Sequence, residues 1–171
     1  MKKTILFWLL LGLFIFTGCS SKGKLEGVKG IKKQDIFSQK EDKYYVYFHR
    51  LDCADCDEAA PAIINYMKII NEYSGCKNKR PIYSVLLFSE EEKPRQSVYI
   101  FREYEGTDGE GTNGTFKVTG ITEWQDLYIG STSSLISITV NEGVKKAYFE
   151  AQGAESIIAK LEEQLGDCHL K

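Results

Sequence analysis

Only two histidines, His49 and His169, occur in the 171 residues, and no second Cys-x-x-Cys accompanies Cys53-Ala54-Asp55-Cys56. A structural zinc site takes four ligands. Here it would have to complete the pair from His49, Cys76, Cys168 and His169, so no metal is expected. The formal net charge is −2, and lysines and acids are mixed along the chain. No basic stripe with interleaved aromatics is present, so nothing points to nucleic acid. There is no internal repeat. The apolar run from Ile5 to Phe16 falls short of the about 20 residues that a membrane-spanning helix needs.

What is there begins with that run. Lys2 and Lys3, the apolar stretch and then Thr17-Gly18-Cys19-Ser20 read as a secretory signal. The small residues before Cys19 resemble the lipobox of bacterial lipoproteins, with Phe16 in place of the usual leucine. The resemblance implies that Cys19 becomes the new N-terminus and carries diacylglycerol, a two-chain anchor stable at a membrane. An uncleaved anchor or an ordinary signal peptide is the other reading. Either way the body lies outside the cytoplasm, where disulfides persist. The following segment is rich in Ser, Gly and Lys and reads as a flexible tether. The expected division is 1–18 signal, 19–31 tether and 32–171 one domain. Roughly 140 residues are enough for a real core.

Within that domain, Asp35 could cap a short helix reaching Glu41. Tyr44 to Phe48 is a continuous β-favouring run, as in a buried strand. Ala60, Ile63, Ile64, Met67 and Ile70 recur at helical spacing, with Gly75 as a stop. Ile82–Phe88 and Leu135–Val140 read as strands. Asn141-Glu142-Gly143 is a turn, and Val144–Phe149 returns as a further strand. Ile157, Ile158, Leu161 and Leu165 share one helical face before Gly166. Strands that alternate with helices and close on a hairpin predict an α/β fold with a mixed sheet covered on both faces.

The Cys-x-x-Cys pair therefore falls between a strand and a helix. There Cys53 meets the free N–H groups of the helix start, which favour its thiolate. Cys56, one turn in, can resolve a mixed disulfide formed at Cys53. Asp52, Asp55, Asp57 and Glu58 suit a helix N-terminus but disfavour a nearby thiolate. His49 and Arg50 push the other way where they face the pair. An inert disulfide and half of a zinc site are the alternatives; the helical context and the exported location favour redox activity.

The element order and the run Val-Tyr-Phe-His-Arg-Leu-Asp-Cys-Ala-Asp-Cys, ending at Cys56, resemble the thioredoxin fold from about Gly30 to Leu165, with a segment inserted before the third strand. Small extracytoplasmic thioredoxin-like lipoproteins and bacteriocin transport accessory proteins of Gram-positive bacteria are the narrower likeness. The resemblance implies a central mixed sheet flanked by helices, Cys53 as nucleophile and Cys56 as resolving thiol. Pro61 matches the proline that bends the family's active-site helix. Thr132-Ser133-Ser134-Leu135-Ile136 stands where the family has Thr-Pro-Thr-Leu-Ile, which makes Thr132 and Ser133 substrate-binding. Three departures stand out. Ser133 replaces the family's cis-proline, and since a cis bond before serine costs about 2.5–4 kcal/mol, a trans Thr132–Ser133 peptide is expected. Tyr47 replaces the buried acid that relays protons. Asp52 replaces the aromatic residue before the first cysteine. In this fold Cys76 and Cys168 would meet at the pole opposite the pair. A bridge there would close a loop of roughly 90 residues, worth about 4 kcal/mol; two unpaired thiols are the alternative.

Pro94 to Tyr104 fits either a helix or a strand. Gly106 to Gly114 contains Gly-x-Gly-x-x-Gly, but no helix pattern follows and Asp108 and Glu110 would repel phosphate. It reads as a mobile loop, with calcium on those acids as the other reading. Trp124 to Tyr128 could form a short helix. The leading function is a lipid-anchored, extracytoplasmic thiol–disulfide oxidoreductase acting on protein thiols. It needs no cofactor beyond its own disulfide. Its partners would be exported protein thiols or a membrane electron donor, and a monomer is expected. A thioredoxin-fold adaptor with little redox activity, for example in peptide export, is the alternative. Metal capture by Cys53, Cys56 and a histidine is third.

Overall fold

The computed structural model describes residues 23–87 and 100–170. The signal, Cys19 and most of Pro94–Tyr104 therefore lie outside the described residues. Five strands form one sheet: β1 (Lys29–Gly30), β2 (Lys43–His49), β3 (Ile82–Leu86), β4 (Ser134–Asn141) and β5 (Val144–Gln152). Their order is β1-β3-β2-β4-β5. β1, β3 and β2 run parallel, and β4 and β5 are antiparallel to their neighbours. Two helices accompany the sheet, α1 (Ala54–Glu72) and α2 (Ala154–Leu165).

β2 is central because it is apolar on both faces. Tyr45 and Tyr47 point to the side of α1 and α2, where they pack with Ala59, Ile63, Tyr66, Ile157, Leu161 and Leu135. Tyr44, Val46 and Phe48 point to the other side. That second face was expected to be covered by a helix. Among the described residues it is covered instead by the inserted segment, through Ile100, Phe116, Val118, Leu127 and Ile129, and by Ile36. The insertion is thus part of the core. Burying side chains of this size contributes about 1.5–3 kcal/mol each.

Several expectations at the edges change. The helix expected from Asp35 is one 3-10 turn, Lys33–Asp35. Tyr44 explains the early stop: its hydroxyl donates to the Ile36 carbonyl at 2.6 Å and draws the chain back to the sheet. Of the segment read as a tether, residues 23–31 lie on the domain. Lys29 and Gly30 pair with Tyr83 and Ser84, and Val28 is buried. β3 has a free parallel edge with backbone groups to satisfy, which outweighs a Gly- and Lys-rich composition. α1 ends at Glu72, before Gly75, and a 3-10 turn Ser74–Cys76 follows. The hairpin between β4 and β5 turns on Glu142 and Gly143, both at positive φ (53° and 80°). That is the twist a two-residue hairpin requires.

Cys76 and Cys168 form a disulfide at the end of the helical layer remote from the start of α1. It joins the turn after α1 to the turn after α2. With its ends 92 positions apart in sequence, loop closure makes it worth about 4 kcal/mol. Replacing Cys168 by serine should lower the unfolding free energy in guanidinium by about that amount; an unchanged midpoint would show that the bridge does not staple the fold.

Candidate functional site

The site is built where β2 ends and α1 begins. After His49 the chain makes a tight turn through Asp52, which sits at φ 54°. Aspartate tolerates this left-handed region better than an aromatic residue, which gives a backbone reason for Asp52. Cys53 then leaves the turn extended, as the N-cap of α1. Its carbonyl accepts from the backbone N–H groups of Cys56 and Asp57, both at 3.0 Å. Its Sγ accepts from the Cys56 N–H at 3.2 Å. A sulfur therefore fills the place usually held by a Ser or Asp oxygen. Cys53 and Cys56 are joined as a disulfide. Their residues are only 6% and 4% exposed.

The loop before β4 closes over this turn. Thr132 Oγ1 lies 3.4 Å from Cys53 Sγ, and Arg50 Nε donates to the same Thr132 oxygen at 3.0 Å. The Ser133 hydroxyl donates to Tyr47 Oη at 2.7 Å. Tyr47 in turn points its hydroxyl at the Cys56 carbonyl, at 3.5 Å. The Thr132–Ser133 peptide, expected trans, is cis. The preference of an isolated chain gives way here to contacts that hold the bond from both sides. Thr132 lies on Cys53, and the Ser133 carbonyl accepts the Gly153 N–H at 2.8 Å. Gly153 has φ 80° and starts α2, so a residue only glycine fits readily ties this loop to the second helix.

Burial decides the ionisation of two neighbours. Tyr47 is pushed up to about 12, first by loss of solvent, with the Ser133 hydrogen bond opposing and Asp57 and Asp55 reinforcing. It is a neutral phenol beneath the disulfide where the thioredoxin likeness would put a carboxylic acid. His49 stacks on Tyr47, rings 5.3 Å apart and nearly parallel, and burial lowers it to about 4. It is therefore neutral at pH 7 and does not act on the cysteines as a cation. A hollow of about 1160 Å³ along the β1–β3 edge reaches His49, Ser84 and Leu86 but neither cysteine.

The structure thus brings together Cys53, Cys56, Thr132 and Ser133. Pro61 lies inside α1, where its missing N–H leaves the Asp57 carbonyl without a helical donor. Cys76 and Cys168 are paired with each other, away from the site. Among the described residues no group of His, Cys, Asp and Glu is placed to hold a metal ion, and no helix is long and apolar enough to cross a membrane. The two acids read for calcium are otherwise engaged. Asp108 accepts from Tyr104 and Lys117, whose hydrogen bond is the main cause holding it down at about 2. Glu110 Oε2 accepts from the Val118 and Thr119 N–H groups, each at 3.0 Å. The segment read as mobile is pinned by these bonds, and it stands beside the site. The Thr112 N–H donates to Gln152 at 3.1 Å, and Gln152 pairs with Ser134. Sequence reasoning missed Arg50 as a partner of Thr132, 82 positions away, and Gln152 as the anchor of the insertion; no local pattern signals either.

No protein-family model matches the chain, and no curated protein matches it.

The lowered His49 has a consequence for stability. Unfolded, it takes up a proton near pH 6.5; folded, only near 4. Stability should fall as pH drops through that window, by on the order of 3 kcal/mol. Denaturant titrations from pH 7 to pH 4 should show a shallower loss in His49→Gln than in the wild type; equal slopes would mean that the buried imidazole is not the cause.

Proposed function

We propose that the protein is a thiol–disulfide oxidoreductase of thioredoxin-like fold, anchored by lipid on Cys19 at the extracytoplasmic face of a membrane and acting on protein thiols. The observation that carries this reading is the Cys53–Cys56 disulfide capping the first turn of α1. Two further features support it. Both helices lie on one face of a mixed sheet, and the loop carrying Thr132 and Ser133 lies against the pair.

The chemistry follows from the two positions. In the reduced protein, the Cys53 thiolate attacks one sulfur of a client disulfide. A Cys53–client S–S bond forms, and the other client sulfur leaves as a thiolate that takes a proton from water. Cys56 then gives up its proton and attacks Cys53 Sγ. The Cys53–Cys56 bond closes, and the second client sulfur leaves as a thiol. Two electrons pass to the client. An oxidised pair runs the same steps backward on a client dithiol.

The small exposure of both cysteines favours the second reading, an adaptor that keeps its disulfide for shape. Insulin reduction by dithiothreitol separates the two. The wild type should accelerate it, and Cys53→Ala should fall to the rate without protein. Equal rates for both, with several electron donors, would leave only the adaptor.

The rim adds a preference. Asp52, Asp55, Asp57 and Glu58 are all exposed around the pair. At low salt a cationic disulfide such as cystamine should react on the order of tenfold faster than the dianionic dithiodiglycolate, the gap narrowing as salt is added. A ratio that ignores salt would show that the rim plays no part.

A further inference from the structure

The polar chain Arg50–Thr132–Cys53 has only one possible direction. A guanidinium Nε–H can only donate, so Thr132 Oγ1 accepts from Arg50 at 3.0 Å. Cys53 is in a disulfide and has no hydrogen of its own. The contact at 3.4 Å between Thr132 Oγ1 and Cys53 Sγ is therefore an O–H donated to sulfur. The Thr132 hydroxyl accepts from a cation and donates to a sulfur, and the positive charge polarises the O–H toward that sulfur.

We infer that Arg50 is a positioning residue for the exchange proposed above, stabilising the reduced Cys53 thiolate through the Thr132 hydroxyl. A disulfide sulfur is a weak acceptor and gains little from this bond. A thiolate is a strong one, and hydrogen bonds to charged groups are roughly twice as strong as neutral ones. The chain thus favours one state of the cycle over the other. When dithiothreitol opens the pair, its two thiols close into a ring and supply two electrons. Cys56 leaves the step as a thiol, and Cys53 releases its proton to water and stands as the thiolate. That thiolate then takes two donors, the Thr132 O–H and the Cys56 N–H.

The other charged and titratable groups around Cys53 do not supply this effect. Asp52, Asp55, Asp57 and Glu58, on the turn and the first turn of α1, oppose a thiolate. From β2, Tyr47 is a neutral phenol and His49 a neutral imidazole. α2 brings Glu155 in its first turn, a further negative charge. The loop Ser131–Ser133 has no titratable side chain. Among the described residues, Arg50 is the cation that a hydrogen-bonded path through Thr132 links to Cys53.

The test reads the Cys53 thiolate directly and is independent of turnover. In the full chain carrying Cys56→Ser, the rate of iodoacetamide modification is followed against pH, with the Cys53 peptide quantified by mass. Arg50→Gln and Thr132→Val should each move the midpoint up by about one unit, about tenfold slower labelling below it. Thr132→Ser, which keeps the hydroxyl, should leave the midpoint in place and guards against a fold defect in the valine variant. Arg50→Lys should restore part of the shift, since it keeps the charge without the planar donor. In a Thr132→Val background Arg50→Gln should add almost nothing, because the two act in series. An unmoved midpoint in Arg50→Gln, or the same shift with and without the Thr132 hydroxyl, would overturn the inference. Insulin reduction by the wild type is the separate arm. Activity with an unmoved midpoint in Arg50→Gln would sink this inference alone, and inactivity with the shift would sink the oxidoreductase reading alone.

Discussion

A sulfur atom at the start of α1 is the constraint around which the rest of the site is arranged. The first turn of a helix has N–H groups with no intrahelical partner. Cys53 answers them with its carbonyl and its sulfur together. The same arrangement fixes the sulfur one turn from Cys56, the spacing at which the disulfide ring closes. Cap and disulfide are therefore one structure, with the Cys56 N–H aimed at the Cys53 sulfur.

The fold holds this point from three directions that are far apart in sequence. β2, apolar on both faces, is locked at the centre of the sheet, so its C-terminal end delivers His49, Arg50 and the Asp52 turn to a fixed place. The loop before β4 comes over the top and is held from below by Tyr47 and from the side by Gly153. The inserted segment braces the end of β5 through Gln152. At the opposite end, Cys76–Cys168 ties the two helices together. The helical layer thus carries a disulfide at each end, Cys76–Cys168 tying the two helices together and Cys53–Cys56 capping the start of α1.

How much of this was legible in the sequence depends on the range of the interaction. The strand at Tyr44–Phe48, the helix after Cys56, the hairpin at Glu142-Gly143 and the C-terminal helix were legible because periodicity and turn chemistry are local. The pairing of Cys76 with Cys168 was open on the residues alone and followed only through the likeness to a known fold. Local rules misled where tertiary contacts overrode them. Lys29-Gly30 has a linker's composition and became an edge strand because β3 needed a partner. Thr132–Ser133 obeys no local preference for trans because its neighbours on both sides are fixed by Cys53 and Gly153. The helix expected from Asp35 was cut short by a single hydroxyl from Tyr44. The coverage of the second sheet face by the insertion was not legible, since Phe116, Val118, Leu127 and Ile129 show no strong period and declare themselves only by what they bury.

The first turn of α1 holds a conflict that bears on the role inferred for Arg50 and Thr132. Acids at a helix N-terminus are favoured by the macrodipole, and four crowd this one. The same charges work against a thiolate at the cap. The two effects act through different media. The carboxylates are exposed, so water and salt screen them, and at ~4 Å in water a unit charge counts for only about 1 kcal/mol. The Arg50–Thr132 path is partly buried and made of directed bonds, of the kind that contributes about 1.5–3 kcal/mol when one end is charged. A screened repulsion from exposed charges is thus set against directed, partly buried bonds. In the exchange proposed above, these bonds are what would let the helix keep its acids beside a reactive sulfur.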